Sequence, residues 1–159
     1  MNRTYLLLGS NMGKSEKQLA IAQDHIEKKI GNVFRASSIY QTAAWGKTDQ
    51  PDFLNRVLIV ETRLTAVQTM QCLLSIEKKM GRALAEKYAP RIIDIDILFF
   101  NREIINGAAL TIPHPQLQNR RFVLVPLNEL SPRLIHPVLK RSIHNLLKEC
   151  RDKLDVKKF

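Results

Sequence analysis

Two short polar signatures, Ser15-x-x-Gln18 and Thr65-x-x-Gln68, each precede a run of apolar residues at helical spacing. In such a capping box the hydroxyl accepts from a backbone N–H three residues on while the glutamine reaches back, so each pair marks a helix start. After Ser15 the stripe Leu19, Ala22, Ile26 and Ile30 leads to Gly31, where a glycine cap is expected. After Thr65 the stripe Met70, Leu73, Glu77 and Met80 leads to Gly81. Strand patterning occupies residues 3–8, ending in a Gly9-Ser10-Asn11 turn, then 33–40, 53–63 and the stretch beginning at Asp94. The connection 41–52 exceeds what a hairpin needs. Strand, helix, strand, strand, helix, strand is the split βαβ order of a ferredoxin-like α+β fold. The expectation is therefore a βαββαβ core with a mainly antiparallel sheet, helices packed on it, and a C-terminal extension.

That extension carries Pro113, Pro115, Pro126, Pro132 and Pro137, which break it into short pieces expected to wrap the sheet, before a short helix near Ser142. A length of 159 residues with 45% hydrophobic content suits a single domain spanning 1–159. No apolar run reaches the roughly 20 residues of a membrane span, and the N-terminus lacks a signal-peptide layout, so a cytoplasmic protein with no membrane partner is expected. Cys72 and Cys150 belong to no CxxC pair and read as reduced packing residues. The net charge of +10 favours anionic partners without choosing among them. Lys28-Lys29, Lys78-Lys79 and Lys157-Lys158 read as solvated helix faces or a tail.

Within Pro90-Arg91-Ile92-Ile93-Asp94-Ile95-Asp96-Ile97-Leu98-Phe99-Phe100, strand alternation places both carboxylates on one face. Ile92, Leu98 and Phe100 are expected to share that face, and Ile93, Ile95, Ile97 and Phe99 to fill the other. Acids among apolar neighbours need a cation: a hard divalent ion such as Mg2+, or an arginine or lysine. Glu77 poses a similar question, being either at the edge of its apolar stripe or held inside by a partner, which suggests a pocket.

Gly9-Ser10-Asn11-Met12-Gly13-Lys14-Ser15 sits where a phosphate-cradling loop would, but it has three residues between its glycines and a Walker A loop needs four. An RNA-recognition module shares the βαββαβ order and would explain the charge. Against it, residues 53–60 offer one aromatic and no glycine, and aromatic content is 6%. A noncatalytic RNA-binding α+β domain, stacking bases on Tyr5 and Phe53, is the alternative reading.

The loops 41–52 and 82–91 and the acid pair can border one cleft. Phe53 and Asn55 share a strand face, a ring for stacking and an amide for hydrogen bonding a flat heterocycle, with Trp45 in the preceding loop; taken alone, Phe53 and Trp45 are more often core or loop-packing residues. Arg82 and Arg91 bracket a basic loop that also holds Lys87 and Tyr88, and guanidinium groups are favoured clamps for phosphate. Arg120, Arg121 and His114 add donors, although a histidine between prolines can be structural. Acids for metal with arginines for phosphate describe phosphoryl transfer without a P-loop.

These residues resemble the 6-hydroxymethyl-7,8-dihydropterin pyrophosphokinase family of folate biosynthesis. The resemblance rests on Leu8-Gly-Ser-Asn11, Ser37-Ser-x-Tyr40-x-Thr42, Gln50-Pro-Asp-Phe-Leu-Asn55, Glu77 through Gly81-Arg82, Pro90-Arg91-x-Ile-Asp94-x-Asp96-Ile97, Leu110-x-Ile-Pro-His114-Pro115, Arg120-x-Phe122-Val-Leu-x-Pro126-Leu and His136-Pro137. It implies transfer of the β,γ-diphosphate of ATP to the pterin hydroxymethyl group with release of AMP, by a monomer acting on small molecules rather than nucleic acid. It also implies two Mg2+ ions, with Asp94 and Asp96 as metal ligands. By position, Thr42, Ala43, Trp45, Phe53, Asn55, Phe122 and the lid residue Tyr88 resemble the pterin side. Glu77, Ile97, Thr111, His114 and Arg120 resemble the ATP side, with Arg82 and Arg91 guiding the transferred group. The chain departs from the family pattern at Leu84, where a second arginine is frequent, at Tyr88 for tryptophan, at Gln116 for arginine, and at Ala43-Ala44, and its 82–91 loop is about one residue short of some relatives.

Overall fold

The capping box at Thr65 forms as read: Gln68 N–H donates to Thr65 Oγ1 at 3.2 Å and Thr65 N–H donates to Gln68 Oε1 at 2.9 Å. In the computed structural model, which describes residues 1–43, 51–81 and 92–159, the elements follow in the order β1 (Asn2–Ser10), α1 (Ser15–Lys29), β2 (Gly31–Ala36), β3 (Tyr40–Thr42), β4 (Phe53–Thr62), α2 (Ala66–Lys79), β5 (Asp94–Phe100), β6 (Ile105–Asn106), β7 (Thr111–Ile112), α3 (Arg121–Leu130), α4 (Ile143–Glu149) and β8 (Lys157–Lys158). The main sheet runs β5-β1-β4-β3-β8, with β2 also on β4, and every pairing is antiparallel. This is the ferredoxin-like topology, with the strand expected at 33–40 divided between β2 and β3.

Helices cover both faces. On one, Leu6, Leu8, Leu58, Val60, Ile95 and Ile97 pack against Leu19 and Ile26 of α1 and Leu73 and Ile76 of α2. On the other, Tyr5, Leu7, Val57, Ile59 and Phe99 pack against Val123, Leu124 and Leu127 of α3 and Ile143 and Leu146 of α4. Cys72 and Cys150 are free, half-buried and packed at the margins of these two cores. Tyr5 is buried, edge-on to Phe99 and hydrogen bonded through its hydroxyl to Ser131. The face on which an RNA-recognition module stacks bases is thus closed by α3 and α4, which removes Tyr5 from the stacking role expected of it.

Several local expectations change. Gly9 and Ser10 belong to β1 rather than to a turn. Ser15 is the first helical residue and makes no cap, because Lys14 holds that position. Gly31 starts β2; a Cβ there would run into the Glu61 carbonyl oxygen, so close strand approach requires the glycine. Gly81 does act as a cap glycine, at φ +90°. The alternation of β5 breaks at Leu98: Tyr5 faces Phe99 and Leu6 faces Ile97, leaving Leu98 as a bulge. In consequence Phe99 lies with Leu98 on the α3/α4 side and Phe100 on the α1/α2 side, the reverse of strict alternation. Residues 121–130 form a helix despite Pro126, which leaves the Phe122 carbonyl without its usual i+4 donor. Lys157-Lys158 is a paired strand on β3, though its side chains are solvated.

Glu129 ties α3 to the sheet. Tyr40 Oη donates to Glu129 Oε1 at 2.6 Å, and Ser38 N–H donates to Glu129 Oε2 at 3.0 Å. Burial alone would push the Glu129 carboxyl up, but these bonds outweigh it and hold it below its ordinary range. Burial and the same carboxylate push the Tyr40 hydroxyl up to about 12.

His136 is buried edge-on against Phe99, and its Nδ1 accepts from the Val138 and Leu139 N–H groups at 3.2 and 3.0 Å. Burial lowers its pKa, so the unfolded chain takes up the proton first as pH falls. Stability held above the ordinary histidine range of about 6.5 is therefore lost on acidification. We expect the unfolding midpoint to drop between about pH 7.5 and about pH 5.5, with a smaller drop in His136→Asn, whose amide oxygen accepts without titrating. Thermal melts across this range test it; an unchanged slope in the variant sinks the assignment to His136.

Candidate active site

β5 is the edge strand of the sheet, so one side of its backbone faces away from β1. Two elements dock on that side. From α2, the buried Glu77 accepts the Ile95 N–H on Oε2 at 2.7 Å; from the segment after β7, His114 N–H donates to the Leu98 carbonyl at 3.0 Å. Leaving that buried N–H unsatisfied would cost about 1–3 kcal/mol, which explains a carboxylate inside an apolar stripe. A cleft of about 500 Å³ opens beside these contacts, lined by Glu77, Asp94, Asp96, Ile97, Thr111, His114 and Arg120 together with the apolar Met70, Leu74 and Ala109. Strand alternation sends the Ile97 N–H toward the same side as that of Ile95, into the cleft.

Asp94 and Asp96 face Gly9 and Leu7 across the ladder, so both carboxylates project on the α3/α4 side, about 7 Å apart along the strand. Both are half-buried. Among the described residues no cluster of three or more His, Cys, Asp or Glu could hold a metal. Two carboxylates lining this cleft nonetheless fit Mg2+, which binds through one or two carboxylates and completes its shell with water and substrate phosphate.

His114 Nδ1 accepts the Gln116 N–H at 3.1 Å, so a neutral ring carries its proton on Nε2. Burial, then the positive charge of Arg120, lower its pKa, against a smaller opposing pull from Asp94. A neutral donor near pH 7 results. Arg120 holds the N-cap position of α3 without a side-chain cap bond, and its guanidinium lies 5.9 Å from the Phe122 ring centre.

A second group of residues lies on the same face. Thr42 pairs with Phe53 and Tyr40 with Asn55 in the β3/β4 ladder. Asn55 and Thr42 are buried, with Asn55 Nδ2 donating to Thr42 Oγ1 at 3.5 Å, whereas Phe53 is half-buried and Ala43 exposed. Gly9 completes this group, and sequence reasoning missed it. A Cβ on Gly9 would sit 2.7 Å from Asn55 Oδ1 and 3.7 Å from the Phe53 ring, so only glycine leaves the floor open. Glycine within a strand pattern was the available signal. Phe122 packs at the margin of the α3/α4 core on that side. Asn11, read from sequence only as part of a turn and a family motif, has a buried amide that donates to the Pro51 carbonyl at 3.3 Å and ties the end of β1 to the approach to Phe53.

Of the residues singled out from sequence, Glu77, Asp94, Asp96, Ile97, Thr111, His114 and Arg120 share the cleft, and Thr42, Phe53 and Asn55 share the sheet end. Trp45, Arg82, Tyr88 and Arg91 lie outside the described residues.

Residues 5–132 match the family model of 7,8-dihydro-6-hydroxymethylpterin-pyrophosphokinase. The chain is 40% identical to the 2-amino-4-hydroxy-6-hydroxymethyldihydropteridine pyrophosphokinase of Methylorubrum extorquens, covering 85% of this chain and 86% of that one. It is 36% identical to the protein of the same name from Aquifex aeolicus, over 100% of this chain and 96% of that one. Among solved structures, wild-type Plasmodium falciparum HPPK-DHPS with pterin and p-hydroxybenzoate superposes with a TM-score of 0.73 at 20% identity, over 93% of this chain. This chain spans 43% of that longer protein, and the likeness is one of fold. No helix among the described residues is long and apolar enough to cross a membrane.

Proposed function

The chain belongs to the 7,8-dihydro-6-hydroxymethylpterin-pyrophosphokinase family, and on that premise we propose how its residues divide the work of a pyrophosphokinase of folate biosynthesis. The enzyme moves the β,γ-diphosphate of ATP to the hydroxymethyl group of 6-hydroxymethyl-7,8-dihydropterin and releases AMP. The observation that carries the division is one row of the ladder. Asp94 faces Gly9, and Gly9 faces Asn55, so the carboxylate and the amide lie on one face, two strand spacings or roughly 10 Å apart, with a bare backbone between them.

The pterin lies over Gly9, its ring against Phe53 and Phe122 and its polar edge on Asn55 and Thr42, with Ala43 and Trp45 bordering it and Tyr88 in the lid. That pose directs the hydroxymethyl arm toward Asp94. ATP occupies the cleft over β5, its base against the apolar lining residues Leu74 and Ile97. Glu77 and Thr111 hold the wall, while His114 Nε2–H and Arg120 bind phosphate oxygens. Asp94 and Asp96 would hold the two Mg2+ ions that the family resemblance implies, and these would supply charge neutralisation on the phosphates. The hydroxymethyl oxygen attacks the β-phosphorus in line and AMP departs. Arg82 and Arg91 guide the transferred group, as the family resemblance implies. Positioning and electrostatics supply most of the rate. The family resemblance also supports a monomer acting on soluble substrates in the cytoplasm.

Incubation with ATP, Mg2+ and the hydroxymethyldihydropterin should give AMP in a strictly pterin-dependent manner. ADP as product, or no turnover by folded protein, would overturn the reading.

A further inference from the structure

The family model ends at residue 132, yet residues 151–159 contact the start of α3 beside Arg120 and Phe122 and the strand β3 beside Thr42. From Arg151 to Val156 the chain alternates between exposed and half-buried positions, turning Asp152, Leu154 and Val156 inward. At one end, Asp152 Oδ2 accepts the Arg121 N–H at 3.0 Å. Helix α3 needs that contact, because its own cap residue Arg120 makes no side-chain cap bond. The carboxylate also suits the positive end of the helix dipole. Its other oxygen accepts the Leu154 N–H at 3.0 Å, which fixes the group in place. At the other end, β8 pairs Lys157 with Gln41 and Lys158 with Tyr40, and Phe159 N–H donates to the Ile39 carbonyl at 2.8 Å. One nine-residue segment, 151–159, therefore anchors both the helix start that carries Arg120 and Phe122 and the strand that carries Thr42.

We propose that Asp152 is a positioning residue for the reaction: by capping α3 in place of a local residue, it sets Arg120 and Phe122 against ATP and pterin, while β8 braces Thr42 from the opposite side. This rests on the division of roles proposed above for Arg120, Phe122 and Thr42. Arg121 lies between the two functional residues, so freeing its N–H loosens the backbone that aims both. A cap of this kind is worth about a factor of 5–10 in an equilibrium, which sets the scale of the effect.

In the full chain, Asp152→Ala should raise KM for ATP and for pterin about 5- to 10-fold with kcat within about 2-fold, while Asp152→Asn, whose amide oxygen still accepts, should stay within about 2-fold of the parent in all three. Phe159→Pro, which removes the donor to Ile39, should raise KM for pterin about 3-fold and leave that for ATP unchanged. Fluorescence titration of pterin binding without turnover should show the same order. Should Asp152→Ala not fold, Asp152→Leu, which likewise offers no acceptor, is read the same way. Arg120→Ala and Phe122→Ala serve as controls. If they raise KM for ATP and pterin respectively while Asp152→Ala lowers only the melting temperature, the positioning role is refuted and the site reading stands. If neither control shifts KM, the site reading itself fails and the positioning role with it.

Discussion

Replacing Asp94 or Asp96 with asparagine will lower kcat at least about a thousandfold and leave the melting temperature within about 2 °C. The amide keeps the volume and one acceptor oxygen of the acid, so the strand and its neighbours lose little. What it loses is the charge that holds a divalent ion against the phosphates, and charge stabilisation of that kind is worth several kcal/mol of barrier, each ~1.4 kcal/mol being tenfold. Because both residues lie at half-buried positions of an edge strand facing Gly9 and Leu7, their removal leaves the two cores untouched. The measurement is steady-state AMP formation across a Mg2+ series, with Mn2+ binding followed separately in the presence of ATP. Weaker metal binding should accompany the loss of rate in each variant. Near-normal turnover in both would refute the assignment of metal to this pair, whatever the fate of the rest of the site.

Much of this site was legible because its residues obey local rules. Acids two apart on a strand must share a face; a carboxylate in an apolar helix stripe must find a donor, and Glu77 finds the Ile95 N–H. The order of elements followed from periodicity and from the Thr65 capping box, and that order, strand-helix-strand-strand-helix-strand, points to a ferredoxin-like fold. What escaped was set by partners distant in sequence. The Leu98 bulge arises where β5 pairs with β1, and no pattern within β5 announces it. Gly31 looked like a cap because it follows a helix, whereas its constraint is the Glu61 carbonyl, thirty residues away in the sequence. Pro126 argued against a helix that the α3/α4 core nonetheless stabilises through Val123, Leu124, Leu127 and Leu130. The cap from Asp152 is of the same kind: a side chain thirty-one positions from the N–H it satisfies.

Gly9→Ala tests the part of the site that sequence reasoning missed, and we expect pterin affinity to fall about 10- to 100-fold while binding of Mg-ATP is unchanged. Gly9 has no positive φ, so the backbone accepts alanine without strain. The conflict is through space: the new methyl would lie 2.7 Å from Asn55 Oδ1, closer than real Cβ contacts come. Asn55 is buried, pinned between the Gly9 and Tyr40 pairings and bonded toward Thr42, so its amide must turn away from the floor of the site. Turning it forfeits one or two hydrogen bonds to the pterin edge and leaves buried polar atoms unmatched, at about 1–3 kcal/mol. Gly13→Ala is the natural contrast. Its glycine does sit at positive φ, +69°, in an exposed turn outside the cleft, so the variant should lose stability by about 1 kcal/mol and keep both substrate affinities. If Gly9 acts through Asn55, the two cannot be additive: Gly9→Ala combined with Asn55→Ala should bind pterin no worse than Asn55→Ala alone. Full additivity in that cycle, or unaltered pterin binding in Gly9→Ala, would separate Gly9 from the pterin floor and leave its glycine to β-sheet packing.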